Sequence, residues 1–166
     1  MHTDLHFVFR KSQRDRFRSG DLIREWRKHY PNIFDAHDEL VLQTPYQRTH
    51  NFYEWLAAVL IFESMGYLSL VVKYTAKSHA SKHVPLRSCL TPPLADWVFK
   101  NETGQPDLFV YSVDHKDWFF CEVKGPRDRI RPNQETWRAG LNAFFVNQPN
   151  MAAARYRVFS LSEVDA

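Results

Sequence analysis

Cysteine is scarce: Cys89 and Cys121 are the only two in 166 residues. Two thiols build no disulfide framework, which suits a reducing compartment. A cytoplasmic or nucleoid-associated protein is expected. Long hydrophobic runs are missing as well. The longest, Trp55 to Phe62, falls short of the ~20 apolar residues that a bilayer crossing needs. Residues 1–20 carry Arg and Lys but no apolar core region, so they do not read as a signal peptide. Glycine is rare, with five residues against nine prolines, and neither builds low-complexity sequence. No internal repeat, phosphate-cradling glycine loop or nucleophilic-serine motif is present.

What the chain does have is material for a core. Hydrophobic residues make up 44% and aromatics 15%, including thirteen Phe and five Trp. That is enough to exclude a disordered chain, and the length fits one domain with an appended arm. The net charge is only +3, but it is unevenly spread. Residues 10–28 hold eight Lys/Arg against three acids, and residues 73–95 hold four Lys/Arg, two His and no acid. Residues 124–131 hold four Lys/Arg around Asp128. Such segments suit a polyanionic partner through phosphate neutralisation, and equally suit ordinary solvated surface.

Periodicity organises the chain. A short strand is expected within residues 2–9 and a helix over 20–30, where Leu22, Ile23, Trp26 and Tyr30 share a face and Pro31 stops the run. Residues 31–50, with Pro31 and Pro45, read as a connector. A helix over 51–65 opens at Asn51 and closes at Gly66, and a strand over 67–74 follows. Residues 75–103, broken by Pro85, Pro92 and Pro93, read as a long irregular insertion with a short helix near Asp96 to Phe99. Strands over 107–113 and 118–124 flank a polar turn, Asp114 to Asp117. Pro132 starts a helix to about Phe145, and Tyr156 to Leu161 forms a last strand. From residue 51 the order is helix-strand-strand-strand-helix-strand: an α/β architecture with a mixed central sheet flanked by helices.

The two central strands carry the chemistry. With the turn centred between Asp114 and His115, Asp107 opposes Glu122, Phe109 opposes Phe120 and Tyr111 opposes Trp118. All six share one face, since strand side chains alternate, and directly opposed Cβ atoms lie about 5 Å apart. Lys124, two residues beyond Glu122, points the same way. Two facing carboxylates repel unless a proton or cation lies between them, and their hard oxygens suit Mg²⁺ or Mn²⁺. A bound ion of that kind activates water and stabilises charge on a phosphodiester, and Lys124 is placed to orient the water or the developing charge. A Glu122–Lys124 surface ion pair beside a turn aspartate is the plainer alternative.

The wording of these segments is specific: Gly104-Gln105-Pro106-Asp107, then Glu122-Val123-Lys124-Gly125-Pro126, then Asn133-Gln134. It resembles the VRR-NUC branch of the PD-(D/E)XK nucleases, and is similar in particular to the nuclease domain of Fanconi-associated nucleases. The likeness is close over 104–134 and general over 51–74 and 135–161. It implies a restriction-endonuclease-like fold. It also implies metal binding by Asp107, Glu122 and the Val123 carbonyl, attack assisted by Lys124, and Gln134 beside the site orienting a phosphate or Lys124. An acid on the first helix of the domain, 51–166, is also implied, with Glu54 favoured over Glu63. Small stand-alone members resemble Holliday-junction resolvases, so a homodimeric endonuclease acting on branched DNA, in DNA repair, is expected. A restriction-like nuclease, a catalytically silent nucleic-acid-binding module and a subunit of a larger nuclease complex are the alternatives.

Further expectations rest on charge. Arg127, Arg129 and Arg131 alternate after the second strand as candidate DNA contacts, although an Asp128–Arg129 ion pair would equally fix that loop. Lys77, Lys82 and Arg87 belong to the insertion, which is expected to be a mobile DNA-contacting loop. His79, His83 and Cys89 make a poor zinc site without a fourth ligand. Cys121 is expected in the core on the sheet's other face. Residues 1–50 are expected to form an N-terminal basic arm, open to a protein partner.

Overall fold

The computed structural model describes residues 4–44 and 50–165. Residues 2 and 3 of the expected first strand, and Pro45 of the expected connector, lie outside the described residues. The chain begins with β1 (Leu5–Arg10), α1 (Lys11–Ser19), α2 (Asp21–His29), α3 (Ala36–Leu42), α4 (Phe52–Met65) and β2 (Leu68–Val71). It continues with α5 (Ala80–Cys89), α6 (Pro92–Lys100), β3 (Leu108–Tyr111) and β4 (Trp118–Lys124). It ends with α7 (Pro132–Asn142), α8 (Pro149–Arg155) and β5 (Tyr156–Val164). The strands make one sheet in the order β1-β5-β4-β3-β2.

The hairpin register is the expected one. Phe109 pairs with Phe120 and Tyr111 with Trp118 across antiparallel β3 and β4. Its turn is set locally. Asp114 Oδ1 accepts from Ser112 Oγ at 2.7 Å and Lys116 N at 3.1 Å, and His115 takes the left-handed φ of 61° that such a turn requires. Strand β5 returns parallel to β4, a connection that needs a crossover, and α7 with α8 supplies it. Strand β4 is buried along its whole length, which explains its nearly unbroken apolar sequence.

Each sheet face has its own core. Helix α4 packs on one, burying Trp55, Leu56 and Ile61 against Val110, Phe119 and Cys121. Burying side chains of that size stabilises by roughly 1.5–3 kcal/mol each. Cys121 thus lies in the core, on the face opposite Phe109 and Phe120. The other face is covered by α5, α6 and α7 through Leu86, Leu94, Val98, Trp137 and Leu141. Residues 5–42, within the expected basic arm, supply β1, which pairs with β5, and helices that bury Phe17, Ile23, Trp26 and Leu42 in the first core. Helix α3 lies inside the expected connector.

The stretch 75–103 departs from the expected irregular insertion. It holds α5 and α6, and its prolines were misleading for a physical reason. Pro92 and Pro93 occupy the first two positions of α6, where a missing N–H costs nothing, and Pro85 is absorbed within α5. Before it, Val72 and Lys73 both take left-handed φ, 44° and 53°, which shortens β2 relative to the expected 67–74. Among the described residues no helix is long and apolar enough to cross a membrane.

Candidate active site

Glu122 is the anomaly of the central strand: a carboxylate only 1% exposed amid Phe119, Phe120 and Cys121. Buried acids are rare unless they are paired, so its surroundings are informative. Its Oε1 accepts from Lys124 Nζ at 2.9 Å and Gln134 Nε2 at 2.5 Å. Its Oε2 is buried with no donor among the described residues. Asp107 stands close enough to share a proton with it. Burial, and then the charge of Asp107, pushes the Glu122 carboxyl far above the ordinary range. Burial likewise raises Asp107, although its Oδ2 accepts from Val123 N at 2.9 Å.

The sequence folds this way because the segment before β3 is tied down on three sides. Val72 N donates to the Asp107 carbonyl at 2.8 Å, and the Tyr74 hydroxyl donates to the Pro106 carbonyl at 2.9 Å. Gly104 takes a φ of 78°, and a Cβ there would stand 2.2 Å from the Asn133 carbonyl oxygen. Only glycine lets this turn meet the start of α7. Gln134, in the first turn of α7, joins the two halves of the site. Its Oε1 accepts from Lys124 Nζ at 3.0 Å and Arg131 N at 2.8 Å, while its amide nitrogen holds Glu122. Lys124 is 9% exposed and has three ammonium protons. Two are committed to Glu122 and Gln134, which leaves one for whatever enters the cavity.

Glu54, from the first turn of α4, opens into the same cavity of about 520 Å³ as Asp107, Glu122 and Lys124. Burial, followed by the nearby charge of Asp107, raises its carboxyl to about 7. Glu63 is elsewhere: it is exposed and accepts a hydrogen bond from the Tyr30 hydroxyl. Val123 also lines the cavity, and Arg127, Arg129 and Arg131 stand exposed along it. Glu54, Asp107, Glu122 and Lys124 lie deep, and the three arginines lie at the rim.

Not every expected contact is at the surface. Lys82, expected to meet DNA, is 1% exposed, and its ammonium bonds to Asp38 Oδ1 at 2.6 Å and to the Val71 carbonyl at 2.6 Å. A charge consumed inside the fold cannot neutralise a phosphate. Arg87 lies over the Phe99 ring, 4.2 Å from its centroid, and Lys77 is exposed. Neither reaches the acidic cavity. His79 Nδ1 and His83 Nε2 bond to the backbone oxygens of Lys73 and Ala76, away from Cys89. Asp128 does fix the loop after β4, but through the backbone: its Oδ2 accepts from Gly125 N at 3.0 Å.

Among the described residues, no three His, Cys, Asp or Glu side chains converge into a metal cage. An oxygen-ligated Mg²⁺-type site needs only one or two carboxylates and keeps several waters. The unpaired Glu122 Oε2 and the mutual repulsion of Asp107 and Glu122 fit such an open cation site. The VRR-NUC domain model matches residues 59–158. No curated protein and no solved structure matches the chain.

Proposed function

Because the chain belongs to the VRR-NUC family, a nuclease family of the PD-(D/E)XK type, we propose that it is a divalent-metal-dependent DNA endonuclease acting on branched DNA. The observation that carries this reading is Glu122, buried beside Asp107 with one oxygen unpaired, beneath a rim of three arginines. A module that only bound nucleic acid would gain nothing from that costly pair.

Asp107, Glu122, Glu54 and the Val123 carbonyl would hold Mg²⁺ or Mn²⁺. The bound ion supplies a water of lowered pKa and charge neutralisation at the phosphodiester. Lys124, steered by Glu122 and Gln134, directs its remaining N–H at the attacking water or the phosphate oxygen. Arg127, Arg129 and Arg131 hold the flanking phosphates, and exposed Lys77 and Arg87 provide more distant positive charge. A two-fold homodimer would provide the two sites that symmetric cutting of a junction requires.

The test is cleavage of four-way junction, flap and linear duplex DNA in Mg²⁺, Mn²⁺ or EDTA. Wild type should cut a branched substrate faster than the duplex, and EDTA should stop it. Asp107→Ala and Lys124→Ala should each lower the rate by ~10²-fold or more. No cleavage of any substrate, or equal cleavage by Asp107→Ala, would overturn the reading.

A further inference from the structure

Asp107 borders two clefts. One is the acidic cavity; the other, on its far side, has a volume of about 500 Å³ and is lined by Val72, Lys73, Thr75, Thr103, Gln105 and Pro106 among others. Nothing in the proposed chemistry uses this second cleft.

It is built at a cost. Val72 and Lys73 hold consecutive left-handed conformations, rare for non-glycine residues and an outlier for a β-branched one. Such strain persists only where the surroundings enforce it. Here the buried Lys82 ammonium donates to the carbonyls of Val71 and Val72 and is neutralised by Asp38. The bend moves the Lys73 side chain off the line of β2 to the cleft wall, while Val72 N still holds the Asp107 carbonyl. A second wall is the Glu102–Pro106 turn. There Gln105 is held by Thr75 Oγ1 at 3.2 Å and by the Val98 carbonyl at 3.2 Å.

The volume falls in the ~300–1,000 Å³ range of small-molecule sites, far below what a duplex would occupy. Val72 and Pro106 offer apolar walls for a flat ring, and Thr75, Thr103 and Gln105 offer polar edges. Glu102 also lines the cleft, and its carboxylate suits the amino edge of a base and repels a phosphate. Lys73 is exposed, with no ion pair among the described residues.

We propose that this cleft is a subsite for one unpaired nucleotide next to the scissile phosphate, with its base against Val72 and Pro106 and its phosphate on Lys73. The proposal rests on the nuclease reading above and adds to it the substrate feature that is recognised. A strand running from the acidic cavity past Asp107 toward Lys73 places a neighbouring nucleotide in this cleft, and a base enters only after leaving its partner.

The experiment is fluorescence anisotropy in EDTA, so that binding is read without cleavage. Two DNAs are compared: a hairpin duplex with a short unpaired tail and the same hairpin fully paired. Wild type should bind the tailed DNA about ten-fold more tightly, which one well-held base contact supplies. Thr103→Trp fills the mouth from an exposed position and should erase that preference while leaving the paired DNA unaffected. Lys73→Asn removes the charge with a residue that tolerates left-handed φ. It should weaken tailed-DNA binding and lower the log–log salt slope by about one. Thermal unfolding checks that both variants fold. Equal wild-type affinity for the two DNAs, or a Thr103→Trp variant that binds both as wild type does or weakens both alike, overturns the subsite. With metal-dependent cleavage intact, those results leave the nuclease reading standing; binding of neither DNA by wild type overturns both.

Discussion

At Glu54, burial and the charge of Asp107 act in the same direction and lift the carboxyl from 4.5 to about 7. In the unfolded chain this group loses its proton near its ordinary value; in the folded chain it keeps the proton to about neutrality. The folded state therefore binds more protons between those values, and stability falls as pH rises through that window. For Glu54 alone the loss is up to about 3 kcal/mol, at its fullest above pH 7. In EDTA, thermal unfolding should show wild type losing stability from pH 5 to pH 8. Glu54→Gln should flatten that slope and be the more stable protein at pH 8. Mg²⁺ should raise the wild-type Tm at pH 8 more than that of the variant. Superimposable pH profiles for the two proteins would remove Glu54 from the electrostatics of the site. The family resemblance favoured Glu54 over Glu63, and of the two the structure opens Glu54 into the cavity. Gln134 was readable as a polar residue in a helix's first turn. Its link to Lys124 came with the family resemblance, whereas its bond to Glu122 did not, because that depends on where α7 docks.

Among the elements, α5 is tied to α3 and to the end of β2 by one buried ammonium. Lys82 faces Asp38, whose carboxyl burial raises to about 6 despite the cation beside it. Lys82→Met leaves that acid in the interior without its partner and should cost roughly 3–5 kcal/mol in urea unfolding. The double variant Lys82→Met/Asp38→Leu should recover most of the loss, since an apolar pair carries no desolvation penalty. A single variant within experimental error of wild type would show that the pair contributes nothing. The same region shows why prolines mislead. Residues 75–103 read as irregular from Pro85, Pro92 and Pro93, yet two of these open a helix and the third is carried inside one. Tertiary burial of Leu86, Leu94 and Val98 outweighs the local penalty.

For the whole molecule, the family match over 59–158 omits β1 and the first three helices, yet these complete the core. Removing residues 1–44 would strip β5 of its β1 neighbour and expose the surfaces that Phe9, Phe17, Trp26 and Leu42 cover. The remaining fragment should be insoluble or lack a cooperative unfolding transition by circular dichroism. A soluble fragment melting as sharply as the full chain would mean that the first 44 residues are an appendage. This contrast also separates what could be read in advance from what could not. The β3–β4 hairpin and the placing of Asp107, Glu122 and Lys124 were determined by the sequence alone. Both faces of the pair are apolar, so it is the short polar turn, Asp114 to Asp117, that leaves one register and with it the face on which Glu122 stands. The pairing of Leu5 with Phe159, the burial of Lys82 and the cleft behind Asp107 were decided only by tertiary structure. They join residues far apart in the chain, and no local period records which distant surfaces will meet.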